Sequence, residues 1–176
     1  ADQPGLDDSA HLQVMSPHPM ARLSFTDCEI PSSQLLGELN AGFKLAMRTL
    51  DIFRTSVAGA ALGMGRKALQ AALHHGKQRH MFQQTLADFQ LTQARLGDMA
   101  CALDAAALLT YRAAWWRDAH GSDGPGAVAY TRAAAMAKLT ATENAWRVID
   151  MALQMHGGLG VLVGEPLEAL YRDIRA

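Results

Sequence analysis

Asp51 and Arg54 are the most suggestive pair of chemically active side chains in this sequence. They lie three residues apart within an otherwise apolar segment, so their side chains share one face of an α-helix. One interpretation is a local ion pair, which contributes about 0.2–0.5 kcal/mol. The other is a polar spot directed at a ligand in a cleft. Spacing alone favours the ion pair.

Histidine and cysteine spacings argue against several other kinds of site. His74 and His75 are adjacent, so their side chains project about 100° apart on a helix and cannot easily share a metal ion. Cys28 and Cys101 form no CxxC motif, which favours two buried thiols in a reducing compartment over a disulfide. The sequence contains no GxSxG nucleophile elbow. We therefore predict no metal site.

A glycine-rich stretch, Gly157-Gly158-Leu159-Gly160, follows a predicted helix. A dinucleotide-binding fingerprint follows a strand instead, so this stretch lacks the required context. Gly157 and Gly158 match the left-handed geometry with which helices commonly end. From the residues alone, they are a helix cap.

Four helices must position these residues. Apolar side chains spaced three and four residues apart predict helices over 41–79, 87–119 and 127–155, and a short fourth helix opens at Pro166. The first is apolar on more than one side, which is typical of a helix inside a bundle. The predicted fold class is all-α: an antiparallel four-helix-type bundle over residues 37–176, preceded by a short β remnant.

Residues 1–36 have the character of that β remnant. Four of the six prolines lie in the first 40 residues. His11–Met15 and Arg22–Cys28 are predicted strands, and Leu23 and Phe25 alternate with polar residues as in a half-buried strand. Because two strands alone rarely form a stable sheet in water, this region requires strands that the sequence does not supply.

Charge and hydropathy exclude two classes of partner. The 16 basic and 17 acidic residues are interspersed and give a formal net charge of −1, so no basic surface for nucleic acid is predicted. Charged residues interrupt every apolar run well before the ~20 residues of a membrane-spanning helix. The first residues also lack the pattern of a signal peptide.

Five phrases, in this order, resemble the acyl-CoA dehydrogenase family across nearly the whole chain. They are LLGELNAGFKLAM (35–47), LDIFR (50–54), RHMFQQTLADFQLTQARLGDMA (79–100), AAAMAKLTATENAWRVIDMALQMHGGLG (133–160) and EPLEALYRDIRA (165–176). FTDCEIP (25–31) resembles the end of that family's middle β domain. The resemblance therefore implies the end of a middle β domain over 1–36 and the C-terminal helical bundle over 37–176.

This family implies FAD-dependent oxidation of an acyl-CoA thioester to the trans-enoyl-CoA. A carboxylate removes the α proton while the β hydride passes to the flavin. Members are usually homotetramers, built as dimers of dimers, and an electron-transferring flavoprotein usually accepts the electrons. The expected partners are thus acyl-CoA, further copies of the chain and that flavoprotein, with neither nucleic acid nor a membrane.

Site residues follow from the resemblance position by position. The implied FAD contacts match the family's Arg-x-x-Phe, a nearby glutamine and the Gln-x-x-Gly-Gly stretch: Arg79, Phe82, Gln90, Gln154, Gly157 and Gly158. An arginine suits the cofactor's diphosphate because its guanidinium can pair bidentately with phosphate oxygens. The positions that line the CoA channel are Phe43, Asp51 and Arg54. With the resemblance added, ligand contact becomes the favoured interpretation of Asp51 and Arg54.

Two departures from the family pattern are visible. The glycine that usually follows Arg-x-x-Phe is Gln83, which leaves the conformation of that loop open. The catalytic base is a Glu expected beyond Ala176, and the alternative position used by some members is Phe53, which cannot abstract a proton. Glu143 and Glu168 match neither position, so the chain contains no recognisable base.

Several alternatives stay open from the sequence. The chain is expected to be a fragment of a longer dehydrogenase rather than a natural truncated paralogue, and to be inactive alone. A flavin monooxygenase or oxidase of the same fold and a non-catalytic oligomerisation module are the competing functions. The composition favours a bacterial cytoplasm, with the mitochondrial matrix as the other option. Acyl chain length is not determined.

Overall fold

Four α-helices dominate the computed structural model, which describes residues 3–121 and 124–175, without the side chain of Pro125. They are α1 (Gly42–Gln78), α2 (Gln90–His120), α3 (Ala127–His156) and α4 (Pro166–Asp173). The predicted all-α fold class is confirmed. The largest difference from the predicted bounds is at the start of α2, where residues 86–88 form a 3-10 turn.

The first three helices run alternately up and down, so α1 and α3 are parallel. Tyr130 Oη, at the start of α3, donates to the carbonyl oxygen of Asp51 at 3.1 Å. Near the other ends, the rings of His75 and His156 stack with centroids 4.1 Å apart. The two contacts are 24 residues apart on α1 (75 − 51) and 26 apart on α3 (156 − 130), which indicates a nearly constant register. Both helices therefore end on the same side of the bundle.

Alanine makes the contact between the helices close. Methyl side chains let helix axes approach to the lower end of the usual range of about 8–10 Å. Larger buried side chains, such as Tyr130, Met99 and Ile149, fill the space where the helices diverge. The fully buried alanines are spaced along all three long helices: Ala58, Ala68, Ala72, Ala106, Ala113, Ala134, Ala137, Ala141, Ala145 and Ala152.

Gly65, which is buried in the middle of α1, lies at a close contact of the three long helices. A Cβ at this position would lie 2.6 Å from Leu103 Cδ2 on α2 and 3.3 Å from Ala145 Cβ on α3. Both distances are shorter than normal carbon contacts. The absence of a side chain at Gly65 is therefore what allows the three long helices to meet.

The β region is a two-stranded antiparallel sheet in which β1 (Leu6–Leu12) pairs with β2 (Met20–Phe25). The predicted first strand, His11–Met15, is wrong because the chain turns at Ser16–Pro19, where two prolines lack the N–H that a strand needs. The predicted second strand, Arg22–Cys28, begins two residues too late and ends three residues too late. Leu23 is not half-buried but 57% exposed, since two strands alone cannot cover either face.

Polar contacts attach the turn of this sheet to α4. Ser16 is buried, and its hydroxyl donates to Asp173 Oδ1 at 2.6 Å. Arg172 donates to the carbonyl oxygen of Met15 at 3.1 Å and pairs with Glu168 at 2.5 Å. Two segments far apart in sequence are thereby fixed to each other.

Both cysteines are free. Contrary to the prediction, neither of them is buried. Cys28 is half-buried in the loop after β2, and Cys101 is exposed on α2. Cys101 lies between the inward-facing Met99 and Leu103, so its side chain points away from the core. No helix in the described residues is long and apolar enough to cross a membrane.

We expect Gly65→Val to destabilise the protein by about 2–3 kcal/mol, because the added atoms overpack the contact between three helices. The matched control is Gly63→Ala on the same helix, where a Cβ meets nothing within 4 Å. That control should stabilise the helix by up to about 1 kcal/mol, since alanine has the higher helix propensity. Urea unfolding measures both changes. Equal effects of the two substitutions would contradict this account of the packing.

Candidate functional site

The shared end of α1 and α3 forms a cleft of about 370 Å³. Arg79 is the residue after α1, Gln154 is in the last turn of α3, and Gly157 and Gly158 follow α3 directly. All four line this cleft. The structure thus gathers four of the six predicted cofactor residues in one place, although they come from segments 75 or more residues apart.

The three glycines after α3 differ in what requires them. Gly157 ends α3 as predicted, but its φ of 60° and ψ of −136° differ from the predicted left-handed helical geometry, whose ψ is about +47°. This backbone conformation is open almost only to glycine. The predicted geometry is also wrong at Gly158, which does not have a positive φ. Gly160 is buried, and a Cβ there would lie 2.5 Å from the carbonyl oxygen of Leu153. Gly158 has neither constraint, because a Cβ there would meet nothing within 4 Å. The open space above Gly158 is available to a ligand that approaches the backbone closely.

A hairpin beside the cleft carries Phe82. Strands β3 (His80–Met81) and β4 (Gln84–Thr85) are joined by Phe82 and Gln83, whose φ angles are 50° and 66°. Two residues of positive φ are the signature of a type I′ turn, which favours Asn and Gly. The loop whose conformation the sequence did not determine is therefore a tight turn. Gln83 occupies the position in this turn that favours glycine.

The hairpin is held in place from both sides. The N–H of Leu86 donates to the carbonyl oxygen of Arg79 at 2.7 Å. Asp88 Oδ2 accepts hydrogen bonds from the backbone and hydroxyl of Thr85 at 2.8 and 2.7 Å, which lower the pKa of the Asp88 carboxyl. Phe82 is 83% exposed at the tip.

Phe82 and Gln90 lie outside the lining of the 370 Å³ cleft. Phe82 contacts Phe89 edge to face, with ring centroids 6.5 Å apart. Gln90 is the exposed first residue of α2. Both side chains are accessible beside the cleft, and any ligand that touches them together with Arg79 must extend beyond it.

At the other end of the bundle, Asp51 joins α1 to α3. The carboxylate is buried and accepts hydrogen bonds from Arg54 and from the hydroxyl of Thr131. Each carboxylate oxygen thus has a partner within the protein. The ion pair between Asp51 and Arg54 is present, as their spacing suggests. The partners on α3 could not be seen in the sequence, because they depend on the register of two helices about 80 residues apart.

The remaining predicted substrate residue stands apart from this pair. Phe43 is 78% exposed in the first turn of α1. It lies eight residues before Asp51, which is about 12 Å along a helix. The side chain of Arg54 is about one-third exposed, so part of its guanidinium faces solvent.

Two histidines, His75 and His156, form part of the wall of the cleft, and the sequence analysis considered only His75, as a metal ligand. The rings of His75 and His156 stack with an angle of 22° between their planes. His156 Nδ1–H donates to the carbonyl oxygen of Ala152 at 2.8 Å. Partial burial lowers the pKa of His75, and the nearby His156, Arg79 and His74 lower it further.

Neither remaining glutamate candidate has the surroundings of a general base for a reaction at the cleft. Glu168 pairs with Arg172, whose hydrogen bond lowers the pKa of the Glu168 carboxyl. Glu143 is exposed on α3. Phe53, at the family's alternative base position, is 59% exposed on α1. In the described part of the chain, no three His, Cys, Asp or Glu side chains converge as ligands for a metal ion.

Comparisons with known proteins agree on one family. The family model described as "Acyl-CoA dehydrogenase, C-terminal domain" matches residues 40–176. The chain is 43% identical over 155 residues to the mitochondrial short-chain specific acyl-CoA dehydrogenase of Rattus norvegicus. That alignment covers 88% of this chain but only 36% of the rat enzyme, so the chain spans about a third of its relative.

Solved structures give the same result. The fold is similar to butyryl-CoA dehydrogenase from Megasphaera elsdenii, with a TM-score of 0.90 and 35% identity, over 99% of this chain and 44% of that one. It is also similar to an acyl-CoA dehydrogenase complexed with FAD from Bacillus anthracis, with a TM-score of 0.89 and 27% identity. In that case the match covers 99% of this chain and 32% of the other.

We expect Gln83→Gly to stabilise the protein by about 0.5–1 kcal/mol. The φ of +66° at Gln83 strains a residue with a Cβ by about 1–2 kcal/mol, and the greater freedom of glycine in the unfolded chain offsets part of the gain. Gln84→Gly in the neighbouring strand is the control and should destabilise the protein. Urea midpoints at unchanged m-value measure both. A loss of stability in Gln83→Gly would show that the turn is not strained.

Proposed function

This chain belongs to the acyl-CoA dehydrogenase family, and we propose that it forms the C-terminal helical domain of an FAD-dependent enzyme that oxidises the Cα–Cβ bond of an acyl-CoA thioester. The family is one of oxidoreductases. The observation that carries the proposal is the cleft at the end of α1 and α3, where Arg79, Gln154, Gly157 and Gly158 meet. We further propose that residues 1–36 are the end of the preceding β domain.

The residues of the cleft fit the diphosphate and adenosine portion of FAD. Arg79 supplies a planar set of donors suited to phosphate oxygens. The backbone at Gly158 is open to a ligand, with nothing within 4 Å of the missing side chain. Gln154 is exposed and can hydrogen-bond with polar groups of a ligand. We infer that Phe82 and Gln90 contact the parts of the cofactor that reach beyond the cleft.

Bound FAD would supply the two-electron acceptor, and this chain would supply orientation. Arg79 and the glycines would fix one end of the cofactor, and the type I′ turn would set the place of Phe82. We propose that the base is a Glu beyond Ala176, because Glu168 is held by Arg172 and no matching carboxylate occurs at Phe53. The 176 residues alone are therefore proposed to be inactive.

We propose that Phe43, Asp51 and Arg54 line the channel for CoA. The geometry favours different roles within this set. Asp51 has both oxygens occupied, so it orients Arg54 rather than binding the substrate directly. Arg54 keeps donors towards solvent that can meet an anionic or carbonyl group. The short-chain specific relative suggests a short acyl chain as the first substrate to test.

Assembly and electron transfer complete the proposal. Large apolar side chains at helical spacing are exposed on α2, at Leu108, Tyr111 and Trp115. A stripe of this kind favours burial against another protein surface, and we propose a homodimer or homotetramer. We also propose an electron-transferring flavoprotein as the acceptor and the cytoplasm as the compartment.

Anaerobic reduction of the flavin tests the reaction. We expect the protein that contains this sequence to lose the visible absorbance of its flavin when butyryl-CoA is added without oxygen. Reoxidation by an electron-transferring flavoprotein should restore the absorbance, while free butyrate should leave it unchanged. Peroxide formation coupled to a substrate without CoA would instead identify an oxidase or monooxygenase of the same fold.

Substitutions in the cleft test the proposed cofactor contacts. We expect Gly158→Val to weaken FAD binding at least tenfold while changing the free energy of unfolding by less than about 0.5 kcal/mol, because the new side chain fills only the open cleft. Arg79→Gln should weaken binding to a similar extent. Gly160→Ala is the contrasting variant, since its methyl group meets the carbonyl oxygen of Leu153 and should destabilise the fold. Equilibrium dialysis and thermal unfolding separate the two effects. Unchanged FAD affinity in Gly158→Val would contradict this placement of the cofactor.

A further inference from the structure

The stacked rings of His75 and His156 separate two clefts. On one side is the 370 Å³ cleft that contains Arg79 and Gly158. On the other is a cleft of about 260 Å³ lined by His74, Gln78 and Glu165, among others. Both histidines line both clefts. A change in the charge of this pair therefore acts directly on the surface to which we assign the cofactor.

The charged and titratable groups around the pair are predominantly basic. His74 in α1 and Arg79 directly after α1 lie near the ring of His75. From α3 comes His156, and from the loop before α4 comes Glu165, which lines the second cleft. The hydrogen bond from His156 Nδ1–H to the carbonyl oxygen of Ala152 fixes the orientation of the ring that stacks on His75.

Without a ligand, this arrangement disfavours a proton on His75. Two imidazolium rings with centroids 4.1 Å apart repel each other, and Arg79 adds to that repulsion. These contacts and partial burial lower the pKa of His75. Both histidines also lie in the last turns of their helices, where the helix dipole favours a positive charge. Protonation of His75 is thus opposed first by burial and then by the neighbouring basic groups, and an anion can neutralise the effect of the latter.

We propose that His75, stacked on His156, takes up a proton when a ligand with a diphosphate group binds at Arg79, so that the cleft holds such ligands more tightly in mildly acidic solution. The proposal rests on the cofactor role assigned to the cleft above. A dianion beside Arg79 replaces repulsion by attraction at the ring of His75, which favours its charged form. His75 then acts as a positioning residue for the anion, through a charge that appears only when the anion is present.

The direction of the pH effect follows from linkage. The pKa of His75 is lowered in the free folded chain relative to about 6.5 in the unfolded chain. The stability that this neutral histidine contributes is complete above about pH 6.5 and is lost as the pH falls below it. The affinity for the ligand, in contrast, increases as the pH falls, because the ligand-bound state holds the extra proton.

ADP-ribose is a suitable probe, because its diphosphate diester stays doubly charged across the pH range of histidine titration. Its dissociation constant is measured from chemical shifts of the whole protein that contains this sequence, freed of flavin, at about pH 5.5 and about pH 7.5, a range that spans histidine titration. We expect the wild-type protein to bind about tenfold more tightly at the lower pH, which corresponds to a rise of about one in the pKa of His75 on binding. The ring protons of His75 should report that change directly.

Matched variants isolate the pair. His75→Phe keeps a flat ring in the stack but cannot be protonated, and its affinity should vary less than twofold with pH. His74→Gln, one residue earlier and exposed, should keep the wild-type ratio. If His75→Phe does not fold, His75→Gln provides the same test without the ring. The proposal is overturned if a variant at position 75 still binds ADP-ribose tenfold more tightly at the lower pH. It is also overturned if the wild type binds ADP-ribose equally well at both pH values.

The two proposals fail differently. If Arg79→Gln abolishes binding of ADP-ribose but wild-type binding does not depend on pH, the cofactor assignment stands and the proton linkage is wrong. No binding of ADP-ribose at either pH removes both.

Discussion

The close contact of α1 with α3 is the constraint on which the rest of the structure depends. Gly65 and the buried alanines allow that contact, and α2 returns the chain so that α1 and α3 run parallel. The register of the pair then brings the ends of both helices together at Arg79 and Gly157. A bulkier interface would separate these residues even if each helix remained intact.

Helical periodicity predicted most of the fold because it is a local property of the chain. The bounds of α1 and α3 differ from the predicted ones by a single residue at most at each end. Strand positions were harder to predict, since an alternating pattern can be shifted by two residues without changing which side chains share a face. In β1 the decisive signal was the pair Pro17 and Pro19, which requires the turn to follow Leu12. The expected burial of Cys101 failed because a thiol side chain does not indicate which face of a helix it occupies.

Only part of the candidate site could be predicted from the sequence. Spacing alone identified the Asp51–Arg54 pair and interpreted Gly157 as a helix cap, and both features are present. Arg79 and Gln154 came from the family resemblance, since nothing in their local sequence suggests a common cleft. The contacts of His75 with His156 and of Asp51 with Thr131 connect residues about 80 positions apart. Such contacts depend on helix register, which a single sequence does not determine.

Parallel helices that end together create an electrostatic problem at the proposed cofactor cleft. The carbonyl ends of α1 and α3 each carry a partial negative charge, equivalent to about half an elementary charge per helix. An anionic cofactor placed there is repelled unless basic side chains reverse the potential. Arg79 directly follows α1, and His75 and His156 occupy the last turns of the two helices. In the proposed role, these residues turn a helix end that is intrinsically unsuited to phosphate into a surface that holds it. In this proposal, close parallel packing of α1 and α3 is therefore compatible with anion binding because basic residues lie at the ends of both helices.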